Sequence, residues 1–497
     1  MQNIILYKNI IIVMIILILL ILLLNKKENF VPFDVLTDYK NIKSINNLFK
    51  KIVPILEKHN ITYWIHSGTL LGAVRHKGII PWDDDVDISI LEDDKDKLLN
   101  LKTEFNTLDL DITDIFFGYK IYDKKGQIIK NKDFRYPFID IFITNKYDNI
   151  IKYTSQQALN LWENDYFTIN ELYPLKKYQF EDYYVYGPNN PYTYLDRAYP
   201  DWKNKAIKTY DHVTHTKIEK KEFDIIYNES SKPYLWQYWE GNMPDYIKLC
   251  METVDKHCST DFNIIRLNPQ NIKDYIPEVK KYEDNINKLI IPQKVDIYRI
   301  MLLYKYGGIY MDADVIVLRN PIEIMDKLRE YDFVGFGCTG NLCKDGYSKP
   351  SNWILASRPN TILMAKILQN LFSKIDTNSI TNLILNIFKK IINNKDNYHD
   401  LGKFVIWDEL NKLKKEDYTY YHYPNNIDGT RDKYGSWVNS DRIFSNQPIE
   451  YDDENNMMFL IVYNSDVNND IKKMSRSEIL NKKCNYSNFI KKSLELN

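Results

Sequence analysis

Cysteine is scarce in this chain, and neither sign of charge dominates. Five cysteines among 497 residues are too few and too irregularly spaced for a disulfide-framework domain. The pairs Cys250/Cys258 and Cys338/Cys343 could each close a loop in an oxidising compartment, but we favour buried free thiols. With only eight histidines, a zinc site is not expected. The 66 basic and 67 acidic residues nearly cancel, which argues against a nucleic-acid-binding protein.

Long apolar runs are also missing, except at the N-terminus. The stretch 10–24 is unbroken and apolar, and residues 4–6 lengthen it. About 20 apolar residues span a bilayer, so we predict a transmembrane signal anchor at 4–24 in a single-pass membrane protein. A cleaved signal peptide is the alternative, but the flank "NKKENF" has no small-residue cleavage site. Orientation and compartment stay open, with placement of the Golgi or ER lumen type expected in a eukaryotic host.

The length and the pattern of the remaining chain predict two α/β domains. A chain of 497 residues exceeds one typical core. Apolar residues recur at helical spacing from Ile42 to Leu56, and "DVDISIL" and "YPFIDIFITN" alternate like strands. We predict an α+β domain at 31–215, a linker at 216–232, where charged and turn-forming residues cluster, and a second α/β domain at 233–475. Residues 476–497 are expected to form a C-terminal tail.

An acidic cluster marks the first domain. In "IIPWDDDVDIS", Asp85 and Asp87 are two apart and point to the same side of a strand. Two carboxylates so close need a proton or a cation, and oxygen ligands favour Mg²⁺ or Mn²⁺. Asp140, in "PFIDIF", would complete a three-carboxylate site for phosphoryl transfer if its strand is a neighbour. The alternative is a solvated acidic loop with Asp140 at a strand end.

The segment "WIHSGTLLGAVRHKGIIPWDDDVDISI" resembles the signature of the LicD/fukutin family, and the similarity continues to about residue 205. The resemblance implies a nucleotidyltransferase-like fold and transfer of phosphocholine or a phosphoalditol from a CDP-linked donor to a glycan. It implies that Asp85 and Asp87 bind the metal and act in catalysis with Asp140, that Gly68 lies in the donor-side turn, and that Arg75 meets phosphate. His66 precedes Ser-Gly where the general pattern favours an apolar residue.

A second acidic pair, Asp312 and Asp314, follows a predicted strand in "YMDADVIVL". An Asp-x-Asp triplet alone is weak evidence. Asp296 and Arg299 lie one helical turn apart in the preceding helix and share a face. Arginine suits phosphate and aspartate accepts from sugar hydroxyls, although an exposed helix pair of little energetic weight is the alternative.

The segment "VDIYRIMLLYKYGGIYMDADV" resembles the DXD region of GT-A glycosyltransferases of the glycosyltransferase 32 and capsular-polysaccharide-synthesis type, with further similarity over about 233–370. The resemblance implies a Rossmann-like GT-A domain and a UDP- or GDP-sugar donor. It implies that Asp312 and Asp314 are catalytic and hold Mn²⁺ or Mg²⁺. Asp296, Arg299 and Trp236 are then expected to contact the donor.

Together these patterns predict a membrane-anchored glycan-modifying enzyme with a divalent cation in each domain and a glycan or glycoprotein acceptor. One alternative is that only the glycosyltransferase domain is active and the first domain is a glycan-binding or scaffold module. Another is a non-enzymatic structural glycoprotein, which three Asn-x-Ser/Thr sites at Asn60, Asn228 and Asn485 would permit.

Overall fold

The computed structural model describes residues 37–225, 227, 232–338, 349–375, 401–413 and 418–496. The chain divides into two compact units, the first spanning Val35–Ser231 and the second containing Lys232–Asn497. The predicted anchor at 4–24 lies outside the described residues. Within the described ranges, no helix combines the length and the apolar character needed to cross a membrane.

The first unit opens with the amphipathic helix that its apolar spacing predicts. Helix α1 (Tyr39–Lys58) begins after Asp38, whose carboxylate accepts a hydrogen bond from the Lys40 backbone N–H. Its apolar face, including Ile45, Phe49 and Ile52, is fully buried in the core of the unit. The helices that follow are α2 (Ser67–Arg75), α3 (Lys95–Asn100), α4 (Lys102–Thr107), α5 (Gln156–Leu161), α6 (Ile169–Leu172) and α7 (Pro191–Ala198).

A seven-stranded mixed sheet forms the centre of the first unit. Its main path runs in the order β1, β2, β5, β4, β3, with β6 paired to β5 and β7 paired to β6. Strands β2 and β5 are parallel, whereas β4 is antiparallel to β5. The strands are β1 (Tyr63–Ile65), β2 (Asp87–Leu91), β3 (Leu110–Ile115), β4 (Gly118–Ile128), β5 (Arg135–Tyr147), β6 (Ile150–Tyr153) and β7 (Phe167–Thr168).

Two hairpins complete the first unit, and one of them includes the first residues of the predicted linker. Strands β8 (Lys176–Phe180) and β9 (Tyr183–Gly187) pair with each other. Strands β10 (Lys205–Asp211) and β11 (Thr216–Asp224) form a second antiparallel hairpin. The start of the expected linker at 216–232 is therefore a strand, because its charged residues lie along a largely solvent-facing hairpin rather than in an extended connection.

The second unit contains a six-stranded sheet in the order β13, β12, β14, β17, β16, β18. Strand β12 is parallel to both β13 and β14, whereas β17 is antiparallel to β14 and β16. The short strands β15 and β19 form a separate antiparallel pair. The strands are β12 (Tyr234–Tyr238), β13 (Asn263–Leu267), β14 (Gly308–Met311), β15 (Val315–Val317), β16 (Phe333–Cys338), β17 (Lys349–Ser357), β18 (Tyr420–His422) and β19 (Phe459–Ile461).

Helices pack around this sheet, and the longest of them leads into the second acidic pair. Helix α11 (Ile291–Tyr306) ends at Gly307, whose φ of 68° suits glycine, and β14 follows directly. The other helices are α8 (Asp245–Cys258), α9 (Ile272–Tyr275), α10 (Glu283–Ile286), α12 (Glu323–Glu330), α13 (Ile362–Ile375), α14 (Lys403–Lys412), α15 (Asn425–Asp428), α16 (Ser440–Ile443), α17 (Asn469–Lys473), α18 (Arg476–Asn481) and α19 (Asn485–Leu494).

The expected C-terminal tail is part of the second unit. Tyr486 and Ile490 of α19 are fully buried, and they belong to the same apolar cluster as Ile247 and Leu249 of α8. The side chains of Cys250, Cys258 and Cys484 are buried free thiols, as favoured from the sequence. Cys343 lies outside the described residues, so the proposed pairing with Cys338 stays a prediction.

Candidate active sites

Three side chains from neighbouring strands form a row in the first unit. Asp87 of β2 is the Cα partner of Asp140 in β5, and Lys120 of β4 is the Cα partner of Asp140 on its other side. Because directly paired residues share a face of the sheet, the three side chains converge. The Lys120 ammonium donates to Asp140 Oδ1, and both side chains are almost fully buried. Lys120 also lies over the ring of Phe138, 3.7 Å from its centroid.

Asp85 joins this row from the segment before β2. One carboxylate oxygen each from Asp85, Asp87 and Asp140 lie within 4.8 Å of one another, and all three residues are buried. Burial raises the pKa of Asp87 well above its ordinary value, and the neighbouring Asp85 and Asp140 raise it further. Burial also raises the pKa of Asp85. The structure therefore brings the three predicted ligands together. Three buried carboxylates that repel one another fit a hard divalent cation.

Asp84 and His212 form a second arrangement beside these carboxylates. His212 lies at the tip of the β10–β11 hairpin, and its Nδ1 is 2.6 Å from Asp84 Oδ1. Its Nε2 is 3.1 Å from Asp85 Oδ2. Burial alone would lower the pKa of His212, but Asp85 and Asp84 raise it to about 9. The imidazole therefore bridges two of the four aspartates in the acidic run.

Gly68 lies in the first turn of helix α2, next to the carboxylates. A Cβ at this position would come within 2.8 Å of Asp83 Oδ2 and 3.7 Å of Asp87 Oδ2. Only glycine, which has no side chain, lets the backbone at this position lie so close to the two carboxylates. Gly68 was predicted in a donor-side turn, and the structure places it in the helix itself, at the N-terminal end where backbone N–H groups can meet a phosphate.

A buried carboxylate holds the start of helix α2. Asp165 accepts hydrogen bonds from the hydroxyls of Tyr153 (2.6 Å), Tyr194 (2.5 Å) and Ser67 (3.0 Å). His66 Nε2 lies 2.6 Å from the same carboxylate. His66, the unusual residue before Ser-Gly, is buried. Its contact with Asp165 helps to fix the carboxylate that binds Ser67 at the helix start. Ser67 adopts a φ of 45°, which the contact with Asp165 helps to hold.

Arg75 makes contacts within the protein. Its guanidinium donates to the carbonyl of Trp202 (2.7 Å) and its Nε donates to His76 Nε2 (2.9 Å). It also lies over the ring of Trp82. Burial lowers the pKa of Arg75 to about 9, although Asp83 raises it. The side chain thus lies near the acidic run, while the predicted phosphate contact stays a prediction.

A buried arginine lies between Asp296 and Asp312, the first member of the second acidic pair. Arg299 Nη2 of helix α11 lies 3.3 Å from Asp296 Oδ1 and 3.3 Å from Asp312 Oδ1. Its Nη1 donates to the carbonyl of Asn352, whose amide in turn donates to Asp296 Oδ1 (2.7 Å). Only 5% of the Asp296 and Arg299 side chains is exposed, compared with 26% for Asp312. The alternative of an exposed helix pair for Asp296 and Arg299 is therefore excluded, and Arg299 orients Asp312.

Asp312 and Asp314 lie between β14 and β15, as the strand-to-turn pattern predicts. Burial raises the pKa of Asp312 to about 7, and Arg299 counteracts this rise. Burial also raises the pKa of Asp314, whose Oδ2 accepts from the Asn464 backbone N–H at 2.6 Å. One buried and one partly exposed carboxylate, both with raised pKa values, fit a divalent cation.

Trp236, predicted as a donor contact, is a core residue. Its side chain is fully buried, its indole N–H donates to the Gly307 carbonyl at 2.9 Å, and its ring stacks on Tyr234. The rings of Tyr275 and Tyr306 also pack against it, each 5.4 Å away between centroids, and cover it on its face of the sheet. The sequence alone also missed Lys120 and His212. Lys120 alternates with the apolar residues of "YKIY", and His212 stands just before the expected linker.

Comparisons with known proteins match two regions of this chain to families. Residues 60–190 match the family described as LicD/FKTN/FKRP, nucleotidyltransferase domain, and residues 196–401 match the family described as capsular polysaccharide synthesis protein. A stretch of 199 residues is 40% identical to the uncharacterized protein RP689 of Rickettsia prowazekii, and it covers 39% of this chain and 70% of that protein. This chain belongs to the family of RP689. It contains a LicD-family domain and a capsular polysaccharide synthesis domain, which together support a transferase in glycan modification.

Other similarities cover smaller shares. The lipopolysaccharide cholinephosphotransferase LicD of Haemophilus influenzae is 34% identical over 113 residues, which cover 21% of this chain and 42% of that protein. The chain thus spans less than half the length of this relative. The glycosyltransferase GlyE of Streptococcus pneumoniae TIGR4 is structurally similar with a TM-score of 0.27 and 14% identity, over 53% of this chain and 60% of that chain.

Proposed function

We propose that this chain is a bifunctional glycan-modifying enzyme. The LicD-family domain would transfer a phospho-substituent of the phosphocholine or phosphoalditol type from a CDP-linked donor. The second domain, of the GT-A type, would transfer a sugar from a UDP- or GDP-sugar. The acceptor would be a glycan or a glycoprotein. The relative named a lipopolysaccharide cholinephosphotransferase supports the first activity.

In the first domain, Asp85, Asp87 and Asp140 would hold a divalent cation. Such a cation would stabilise the charge on the donor diphosphate and on the CMP that leaves. Lys120 orients Asp140 through their buried ion pair. The N-terminus of helix α2, kept open by Gly68, faces the same carboxylates and would bind the donor phosphates. Transfer forms a bond between the acceptor hydroxyl oxygen and the substituted phosphorus, breaks the phosphoanhydride bond, and releases CMP and a proton.

In the second domain, Asp312 and Asp314 would hold a divalent cation against the diphosphate of the sugar nucleotide. Arg299 holds Asp312 and Asp296 from inside the fold. Asp296 is a candidate for the donor sugar: its Oδ1 accepts from Asn352, and its Oδ2 has room only because residue 402 is a glycine, where a Cβ would come within 2.7 Å. Transfer joins the sugar to an acceptor oxygen and releases UDP or GDP and a proton.

The observation that carries the proposal is the convergence of three buried carboxylates, Asp85, Asp87 and Asp140, within the stretch that matches the LicD family. Both sites retain their acids, which counts against a degenerate scaffold in either domain. We also propose that residues 4–24 anchor the enzyme in a membrane. Tethering raises effective concentration, so the two domains would act in sequence on one acceptor.

Donor hydrolysis tests this function directly. The purified chain is incubated with CDP-choline, CDP-ribitol, UDP-sugars and GDP-sugars, with Mn²⁺ or with EDTA, and nucleotide release is measured. We expect release from at least one CDP-linked donor and one sugar nucleotide, in each case only with the cation. No hydrolysis of any donor with Mn²⁺ present would overturn the proposal.

A further inference from the structure

Two groups of oxygen and nitrogen donors lie side by side in the first unit. Asp85, Asp87 and Asp140 form one group, and Asp83, Asp84 and His212 form the other. Two-ion sites in phosphoryl-transfer enzymes hold their ions about 3.5–4 Å apart. With five carboxylates in one place, the acidic run could be taken for such a two-ion site. The contacts of His212 argue otherwise.

Both oxygens of Asp84 are engaged by the β10–β11 hairpin. Oδ1 lies 2.6 Å from His212 Nδ1, and Oδ2 accepts from the backbone N–H groups of His212 (2.9 Å) and Val213 (3.4 Å). The Asp84 side chain is only 3% exposed. These contacts lock the hairpin tip onto the acidic run and withdraw Asp84 from a role as a metal ligand.

The imidazole ring of His212 occupies the space between Asp84 and Asp85. Its far nitrogen, Nε2, lies 3.1 Å from Asp85 Oδ2. Tyr210 and Phe138 flank the ring at 4.8 Å and 6.4 Å between centroids. A second ion that bridged Asp84 and Asp85 would need the position that the ring fills. The ring nitrogens lie against Asp84 and Asp85, while oxygens of Asp85, Asp87 and Asp140 remain grouped within 4.8 Å of one another.

We propose that His212 takes the place of a second cation, so that the first unit binds one divalent ion rather than two. The inference rests on the proposed function, because it presumes an ion at Asp85, Asp87 and Asp140. It makes His212 a positioning residue, since the ring fixes one oxygen of Asp85 and leaves the other for the ion. His212 lies outside the stretch 60–190 that matches the LicD family, so this assignment comes from the hairpin contacts.

The stoichiometry of Mn²⁺ binding tests this inference without any assay of activity. The full chain carries Asp312→Asn and Asp314→Asn to remove the second site, and bound Mn²⁺ is counted by calorimetry and by electron paramagnetic resonance. We expect one ion per chain. In the same background, His212→Ala frees Asp84 and should admit a second, weaker ion, with a spectrum broadened by coupling between the two. His59→Ala, a surface histidine paired with Glu104, is the control and should stay at one ion.

The outcomes separate the inference from the proposed function. Two ions in the Asp312→Asn/Asp314→Asn background would overturn the inference and leave the metal-dependent function in place. No ion would contradict both. A folded His212→Ala variant that still binds one ion would overturn the role of the ring. If His212→Ala fails to fold by circular dichroism, the count in the background chain still decides.

Discussion

Asp87 and Asp140 are Cα partners across the parallel strands β2 and β5. They are far apart in the sequence, and the parallel pairing brings them together at one position of the sheet. Lys120 extends the row from the antiparallel neighbour β4. Each of the three strands therefore contributes one charged residue to the row. The row fixes the distance between two carboxylates by backbone pairing rather than by flexible loops.

Lys120 is expected to be needed for the first activity. Lys120→Met keeps most of the side-chain volume and removes the buried partner of Asp140. Loss of a group that orients a metal ligand typically costs about 10- to 100-fold, so nucleotide release from the CDP-linked donor should fall by that factor. Release from the sugar nucleotide should not change. The control is Lys125→Met on the same strand, whose ion pair with Asp109 is exposed; an equal loss in that variant would contradict the prediction.

Much of this site follows from local pattern. The spacing of Asp85 and Asp87 and the mid-strand position of Asp140 predict the three-carboxylate group, because strand alternation is a short-range property. The local pattern does not predict the roles of Lys120 and His212. Nothing in their own segments tells which strand stands next to β5, or that a charged hairpin folds back onto Asp84. Those contacts depend on pairing between distant segments, which periodicity does not encode.

In each domain, a glycine lies so close to a carboxylate that an added methyl group should displace it and slow nucleotide release. A Cβ on Gly68 would come within 2.8 Å of Asp83 Oδ2, and one on Gly402 within 2.7 Å of Asp296 Oδ2. Each alanine variant should fold, because a side-chain end can move, but the displaced carboxylate should lower the rate about 10- to 100-fold. Gly68→Ala should affect only the CDP-linked donor and Gly402→Ala only the sugar nucleotide. Each variant is the control for the other, and a shared effect on both donors would count against the two-site account.

Asp165 is expected to be a major determinant of stability in the first unit. Asp165→Ala leaves the buried hydroxyls of Tyr153 and Tyr194 and the ring of His66 without their acceptor. Removal of one member of a buried charged network costs about 3–5 kcal/mol, which should appear in the urea unfolding transition of this unit. The half-exposed pair of Lys50 and Asp182 provides the control, since Asp182→Ala should cost less than about 1 kcal/mol. Equal costs for the two variants would refute the assignment.

Asp428 should make the stability of the second unit depend on pH. Burial raises its pKa to about 7, against hydrogen bonds from Thr430. The folded state therefore holds a proton that the unfolded chain releases near pH 4. The contribution of Asp428 to the free energy of unfolding is therefore fully present below pH 4 and is lost as the pH rises to about 7. The free energy of unfolding, measured in EDTA, should fall less steeply over this range in Asp428→Asn than in the parent chain.

The matched variant for this titration is Asp466→Asn, at an exposed position, which should keep the slope of the parent chain. Asp312, whose pKa is also raised to about 7 by burial, contributes a slope of the same sign. For that reason the Asp428→Asn variant should retain part of the dependence. An unchanged slope in Asp428→Asn would show that its carboxyl is ionised in the folded state throughout this range.

In the second unit, the sequence alone does not distinguish core residues from ligand-binding residues. The sequence around Trp236 resembles a donor-binding segment, yet its indole packs on Tyr234 and donates to Gly307. A tryptophan in a strand looks the same in the sequence whether its ring faces a ligand or the interior. Asp312 and Asp314, in contrast, follow a glycine-terminated helix and a buried strand, and that order predicts their place at a strand end.

If two separate carboxylate sites perform two separate transfers, each pair of aspartates is needed for one reaction only. Paired variants of the full chain test this. Nucleotide release from a CDP-linked donor and from a sugar nucleotide is measured, with Mn²⁺, for Asp85→Asn/Asp87→Asn and for Asp312→Asn/Asp314→Asn. We predict that the first variant loses only the CDP-linked reaction and the second only the sugar-nucleotide reaction. Unchanged release of both nucleotides in both folded variants would contradict the account.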